Sequence, residues 1–480
     1  MKKLNAKLRE TNDLYSPIVI QFGEGNFLRA FFDYLIDVLN EKSESKIKNS
    51  VIVVQPIEKG LANVLNEQDG LYTLLMRGME NGEPITKTRL CKSVEYAVDP
   101  YADYHSYREL EAIPSIKYIV SNTTESGIVY EPSDKLTDEP PRSFPGKITQ
   151  LLYHRWLAFD GDVGKGFIFI PCELIEKSGD VLRDCVLKMA ANWELPEEFI
   201  EWLDSANYFC NTLVDRIVTG YPRDETREIN ARLGYVDDLL VTSELFFFFA
   251  LEGEQAALDE MAFFADCGLD VVLTQDVTPY KIRKVRILNG AHTASVLAAA
   301  LCGKKTVLEM IETPLFAKLL ERAIYQEIIP TINLDIKEIE SFAESVFERF
   351  ANPFIKHYLT SIALNSVSKF AARILPTIFD YKKIYKEWPP VLMFSLVSLI
   401  VYYKGSETHV PEDAPEVTAF FEEVWAKEKT AKELANAVCK NSALWGRDLS
   451  LETGFVDLIA QGLESVQEKG FEKTLEILLS

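Results

Sequence analysis

The feature that most constrains this chain is a strand, a G-x-G turn and a helix in immediate succession. Ser16-Pro-Ile-Val-Ile-Gln-Phe22 is an apolar run, and Gly23-Glu24-Gly25 follows directly. From Asn26 to about Asn40 the residues Phe27, Ala30, Phe31, Tyr34, Leu35, Val38 and Leu39 recur at helical spacing. Two glycines at such a point allow a tight turn and the close approach of a pyrophosphate. Leu28 replaces the third glycine of G-x-G-x-x-G, so a purely structural turn also explains the pair. The strand before and the helix after favour a nucleotide.

Further apolar runs at Ser50–Gln55, Ile116–Ser121, Gly166–Pro171 and Leu269–Thr274 alternate with helical stretches. Near-continuous apolar strands separated by helices predict a mostly parallel sheet covered on both faces. After Thr278 the periodicity is almost wholly helical, with turn signals at Cys302-Gly303, Asn352-Pro353, Pro389-Pro390 and His409–Pro415. The expected architecture is α/β. A Rossmann-type dinucleotide-binding domain with a mostly parallel sheet spans residues 1–277, and a mainly α-helical substrate and catalytic domain spans residues 278–480.

Charge and composition exclude several classes. The 480 residues carry 73 acids and 51 bases, a net charge of −22. A nucleic-acid binder or a protein of anionic membrane surfaces would show a basic surplus. If the substrate is an anion, local positive charge must overcome that global field. The seven cysteines (Cys91, Cys172, Cys185, Cys210, Cys267, Cys302, Cys439) are scattered without a C-x-x-C. The five histidines show no metal-ligand spacing, so neither a disulfide framework nor a metal site is expected. The first fifteen residues lack the apolar core of a signal peptide. The longest apolar stretch, Val391–Tyr403, falls short of the ~18 residues of a membrane span and reads as a buried helix. A cytoplasmic protein with no membrane or nucleic-acid partner is expected.

Two groups of residues carry chemistry. Phe22, Gly23, Gly25, Asn26 and Phe27 form the candidate cofactor turn. Gln55 ends the second strand, where an acid would take ribose hydroxyls. Glutamine can hydrogen-bond a hydroxyl but neither selects NAD by charge nor repels a 2′-phosphate, and nearby Lys59 keeps NADP open. Asn122 and Thr123 follow a strand end, where ligands of parallel sheets gather. In the second group, Thr278 and Pro279 start a helix that carries Lys284, Asn289 and His292. At 100° per residue, His292 lies about 80° and Asn289 about 140° round from Lys284, on one broad face. A lysine can exchange a proton with an alcohol while an amide and an imidazole hold the oxygen. A basic helix with an interior Asn and His is the plainer explanation of the same spacing.

The strings K-x-x-x-x-N-x-x-H and F-G-x-G-x-F-x-R-A together resemble the mannitol dehydrogenase family, the polyol-specific long-chain dehydrogenases. Gln68–Tyr72, Ser121–Glu125, Phe144–Lys147, Ile170–Ile175, Asn211–Arg216 and Asn365–Pro376 extend the resemblance over nearly the whole chain. It implies a metal-independent enzyme that moves hydride between NAD and a sugar-derived substrate across a cleft between two domains. Lys284 would be the general acid/base, with Asn289 and His292 polarising the reacting oxygen. A second asparagine of the family is replaced by Leu174, and an acid three residues before the lysine by Lys281. Both departures favour the branch that interconverts altronate and tagaturonate, with fructuronate or mannitol as alternative substrates. A non-catalytic dinucleotide binder is a third possibility.

A sugar-acid substrate needs cations, and Arg283, Lys369 and Arg373 are the candidates, with Lys281 and Arg286 also in the segment. Nearby positive charge would favour the neutral amine that alcohol oxidation requires. A monomer or small homo-oligomer is expected. Phe246–Phe249 reads as core filling, Cys172 and Cys210 as buried packing, and Glu244 as a family-like position or a helix N-terminal acid. His357 reads as a helical core histidine or a substrate ligand, and Asp215 with Arg216 as a structural pair.

Overall fold

The structure is a computed structural model that describes residues 1–8, 13–123, 126–406 and 409–480. Thr124 and Glu125, in the family-like Ser121–Glu125 stretch, lie outside the described residues. The chain divides into two compact units, Met1–Arg77 with Ile85–Val277, and Gly78–Pro84 with Thr278–Ser480.

In the first unit six strands form one parallel sheet: β1 (Leu14–Phe22), β2 (Ile47–Val54), β3 (Val94–Val98), β4 (Tyr118–Ser121), β5 (Ile168–Pro171) and β6 (Tyr208–Phe209). Their order is β3-β2-β1-β4-β5-β6, so the winding reverses beside β1. That is the doubly wound, Rossmann-type order, and ligands bind beyond the strand ends at the reversal.

Side chains alternate between two apolar layers because successive residues of a strand face opposite ways. Val19, Val51, Val53, Val120 and Ile170 enter one core, and Ile20, Phe22, Ile52, Val54 and Phe169 the other. Helix α1 (Asn26–Ala30) follows β1, and α2 (Phe144–Ala158) precedes β5. Ser143 caps α2, its hydroxyl accepting from the Gly146 amide at 3.0 Å.

Two further sheets are antiparallel in part, which continuous apolar runs do not reveal. One joins Asn211–Asp215, Phe248–Glu252 and Asp270–Thr274, and the other includes a hairpin of Tyr72–Glu80 and Glu83–Cys91. Phe247 and Phe249 lie in the core and Phe248 is buried, as core filling requires. Cys172 and Cys210 are fully buried. Glu244 follows the strand Val241–Ser243 and opens no helix; it accepts from the Ile217 amide at 2.5 Å.

In the second unit, α3 (Thr278–Arg283), a π-helical turn (Lys284–Asn289) and α4 (Gly290–Leu301) run on continuously. Around them lie α5 (Ile336–Phe350), α6 (Ser366–Arg373) and α7 (Pro390–Tyr402). Helix α4 is rich in alanine and buried along most of its length, which allows α7 to pack closely on it. Helix α7 is the buried apolar helix expected from its sequence. Among the described residues no helix is long and apolar enough to cross a membrane, and all seven cysteines are free.

Candidate active site

The first candidate site, within the first unit, lies at the sheet's reversal. Gly23, with φ +121°, turns the chain after β1 at a point where a Cβ would lie 3.3 Å from the Asn122 carbonyl oxygen. Gly25 has φ −66°, and a Cβ there would meet no atom within 4 Å. Neither backbone nor neighbours require glycine at 25. Gly23, Glu24, Gly25, Pro56, Asn122 and Thr123 line a cavity of 520 Å³, a volume suited to a small molecule or cofactor. Gly25 thus leaves open space beside its backbone on the cavity wall.

The other expected cofactor residues divide. Asn26 is exposed, with its side-chain oxygen accepting from Arg29 at 2.8 Å, and Phe27 stacks on Phe31 at 4.9 Å. The Phe22 ring is fully buried against Tyr107 and Phe144, so its role is packing and a side-chain contact with a ligand is ruled out. Gln55 does not present its amide: Nε2 donates to the Ile57 carbonyl at 2.9 Å and Oε1 accepts from the Ala62 amide at 3.3 Å. Asn122 donates to the Cys172 carbonyl at 2.6 Å, and the Thr123 amide and hydroxyl both reach Glu173 Oε1, at 3.0 and 3.1 Å.

The second candidate site, within the second unit, departs from the expected regular helix. The backbone from Lys284 to Asn289 is π-helical, with i→i+5 hydrogen bonding and a wider turn. Each residue there rotates by less than 100°, so the 140° between Lys284 and Asn289 shrinks and the five-residue spacing approaches one repeat. Sequence spacing alone would overstate the spread of the three side chains. Asn289 makes no side-chain hydrogen bond among the described residues, although its carbonyl accepts from the Thr293 hydroxyl at 2.9 Å.

His292 stacks on the Phe350 ring at 4.2 Å and meets His357 edge-on at 5.2 Å. Its buried Nδ1 has no hydrogen-bond partner among the described residues. Burial, reinforced by His357, Arg349, Arg373 and Lys369, holds this imidazole well below the usual histidine range. His292 is therefore neutral near pH 7, with one N–H to give and one lone pair to accept.

The candidate cations separate into two sets. Arg283 is buried, ion-paired to Glu338 at 2.5 Å and seated over the Phe342 ring, so it cannot serve as the substrate's cation. Arg286 is likewise held by Asp380 at 2.5 Å and Thr331 at 2.9 Å. Lys369 and Arg373, both on α6, are close enough to depress His292. Lys369 donates to the Ile362 carbonyl at 2.9 Å and Arg373 reaches the Thr293 hydroxyl at 3.4 Å, leaving each with spare donors. Burial lowers both groups, with Arg373 adding to the effect on Lys369.

Residues 17–263 match the mannitol dehydrogenase Rossmann domain, and residues 276–467 match the mannitol dehydrogenase C-terminal domain. The chain belongs to the mannitol dehydrogenase family. Within that family, an altronate oxidoreductase of Bacillus subtilis (strain 168) is 43% identical over 99% of this chain and 98% of its own length. An altronate oxidoreductase of Shigella flexneri is also 43% identical, over 97% of each chain. Two solved structures share the fold. A Pseudomonas fluorescens mannitol 2-dehydrogenase, in a ternary complex with NAD and D-mannitol, superposes with a TM-score of 0.65 at 22% identity over 99% of both chains. A D-sorbitol dehydrogenase in substrate-free form reaches 0.78 at 21% identity, over 98% of this chain and 100% of its own.

In this mannitol dehydrogenase family member, packing decides several positions that the sequence left open or passed over. His357 lies in no helix: it sits in the link between α5 and α6, pinned by its carbonyl to the Val307 amide at 3.0 Å. That link delivers its ring to His292, and only tertiary packing reveals the pairing. Glu173 is buried, one carboxylate oxygen taking Thr123 and the other unpartnered among the described residues; burial raises its carboxyl. Arg142 lines the cavity just before the Ser143 cap, and the S-F-P-G signature there was a usable signal. Leu174, at the departed asparagine position, is exposed. Arg216 donates to the Ala30 and Glu244 carbonyls at 2.7 and 3.0 Å and lies over the Tyr34 ring. Among the described residues no group of three or more His, Cys, Asp or Glu could hold a metal ion.

Proposed function

We propose that the protein interconverts D-altronate and D-tagaturonate with NAD as hydride partner, a step of hexuronate breakdown, and that Lys284 is its general acid/base. Residues 1–277 would hold the dinucleotide and residues 278–480 the sugar acid. The observation that carries this reading is the surroundings of His292. A neutral imidazole shares one helical segment with Lys284 and Asn289, and Lys369 and Arg373 stand close enough to act on it. A neutral polyol has no need of two half-buried cations beside its reacting carbon, whereas a carboxylate does. The full-length similarity to altronate oxidoreductases supports the same substrate.

NAD bound in the 520 Å³ cavity supplies the hydride acceptor, or as NADH the donor. In oxidation, the Lys284 amine takes the hydroxyl proton. The Asn289 amide and the His292 N–H donate to the substrate oxygen as it becomes a carbonyl. In reduction, the Lys284 ammonium returns the proton to that oxygen. Lys369 and Arg373 hold the carboxylate and fix which carbon faces the lysine.

The test is a panel of altronate, mannonate and mannitol with NAD and with NADP. Altronate with NAD is expected to exceed mannitol in kcat/KM by at least about a hundredfold, since a site built for a charged group strongly rejects an analogue lacking it. Preference for mannonate or mannitol would overturn the choice of substrate.

A further inference from the structure

A dinucleotide site of this topology meets the adenosine ribose hydroxyls with an acid at the end of its second strand. Gln55 holds that position, but its amide is folded back onto the loop that follows. Glu24, between the two glycines, brings a carboxylate to the same place. It is 7% exposed and lines the cavity with Gly23, Gly25, Pro56 and Ile57. Its Oε1 accepts from the Leu61 amide at 3.1 Å, one residue before the Ala62 amide that holds Gln55.

Glu24 and Gln55 converge on Gly60, where a Cβ would lie 2.0 Å from Glu24 Oε1 and 2.6 Å from Gln55 Oε1. The glycine there lets the loop close over the carboxylate. An ionised carboxylate has about four acceptor sites, so the Leu61 contact leaves capacity for two hydroxyls.

We propose that Glu24 selects the dinucleotide that lacks a 2′-phosphate, accepting the adenosine ribose hydroxyls in place of an acid at the end of β2. A carboxylate accepts from hydroxyls but repels a phosphate dianion, so one group supplies both attraction and exclusion. Glu58 and Lys59 carry opposite charges on the same loop and are exposed, which leaves the buried Glu24 to decide. The inference rests on the dinucleotide reading of the cavity.

Fluorescence titration of NADH and NADPH onto the purified full chain tests it without turnover. Wild type is expected to bind NADH at least about tenfold more tightly than NADPH, and Glu24→Gln to narrow that ratio by about tenfold, in part by tightening NADPH. Glu24→Asp, which retains the charge, is expected to keep NADH preferred and serves if the glutamine variant does not fold. An unchanged ratio in Glu24→Gln, a reversed preference in Glu24→Asp, or a wild type that prefers NADPH overturns the role of Glu24 while leaving the cavity a dinucleotide site. A wild type that binds neither overturns both.

Discussion

Gly23 and Gly25 stand two residues apart and are glycine for different reasons. At Gly23 the backbone itself demands it, because φ +121° strains any L side chain. At Gly25 a methyl group would enter empty space. Gly25→Ala is therefore expected to leave the melting curve within about 0.5 kcal/mol of wild type yet weaken NADH binding by tenfold or more, roughly the cost of displacing a close ligand contact. Gly23→Ala should lower stability by about 1 kcal/mol or more. Arg283 and Arg373 separate in the same way. Arg283→Met breaks a buried ion pair and should cost about 2–3 kcal/mol of stability, at the low end because Glu338 is partly exposed. Arg373→Met should mainly raise KM for altronate by about tenfold or more, with a small effect on melting. Steady-state kinetics beside thermal melts resolves the two.

At the scale of elements, α7 shows how the second unit is held. Its first turn contains prolines, and Glu327 lies in a different helical segment, yet its two carboxylate oxygens accept from the Val391 and Leu392 amides at 2.8 Å each. A protonated carboxyl keeps acceptor lone pairs on both oxygens whereas a glutamine can accept only one of those hydrogen bonds, so Glu327→Gln should destabilise the protein by about 1–3 kcal/mol at pH 5 in denaturant melts. Nothing local in the sequence announces such a cap, because the partners lie far apart along the chain. The same limit explains what was and was not legible. The turn after β1, the parallel strands and the helical second half follow from local periodicity. Lys284, Asn289 and His292 stand out through the motif that the chain shares with its family, because their spacing alone also fits a plain basic helix, and the π turn that narrows their spread depends on packing in the folded state. The hairpin carried a usable sign in Asn81-Gly82, whose φ values of 54° and 79° are those of a type I′ turn. Arg283 and Lys369 look equivalent as letters; only burial and the position of Glu338 tell them apart.

Over the whole molecule the net charge is −22, and under the proposed function the local pair Lys369 and Arg373, not that global charge, meets the substrate carboxylate. Buried acids also set its pH response. Burial pushes Asp33 up to about 7 from 3.8 and Glu327 up to about 7 from 4.5. Both are raised in the folded state, so their contribution is fully present below about pH 4 and is lost as pH rises to about 7. Asp33→Asn is expected to flatten the fall of stability across that window by a few kcal/mol, measured in urea at several pH values. The central claim concerns Lys284, and one measurement reaches it most directly. NADH formation from altronate and NAD is compared between wild type and Lys284→Ala, with NADH binding and melting temperature as controls for the fold. A loss of general acid/base catalysis predicts a fall in kcat of about 10²–10⁴-fold with the dinucleotide still bound. A folded Lys284→Ala protein that turns altronate over at the wild-type rate would contradict it.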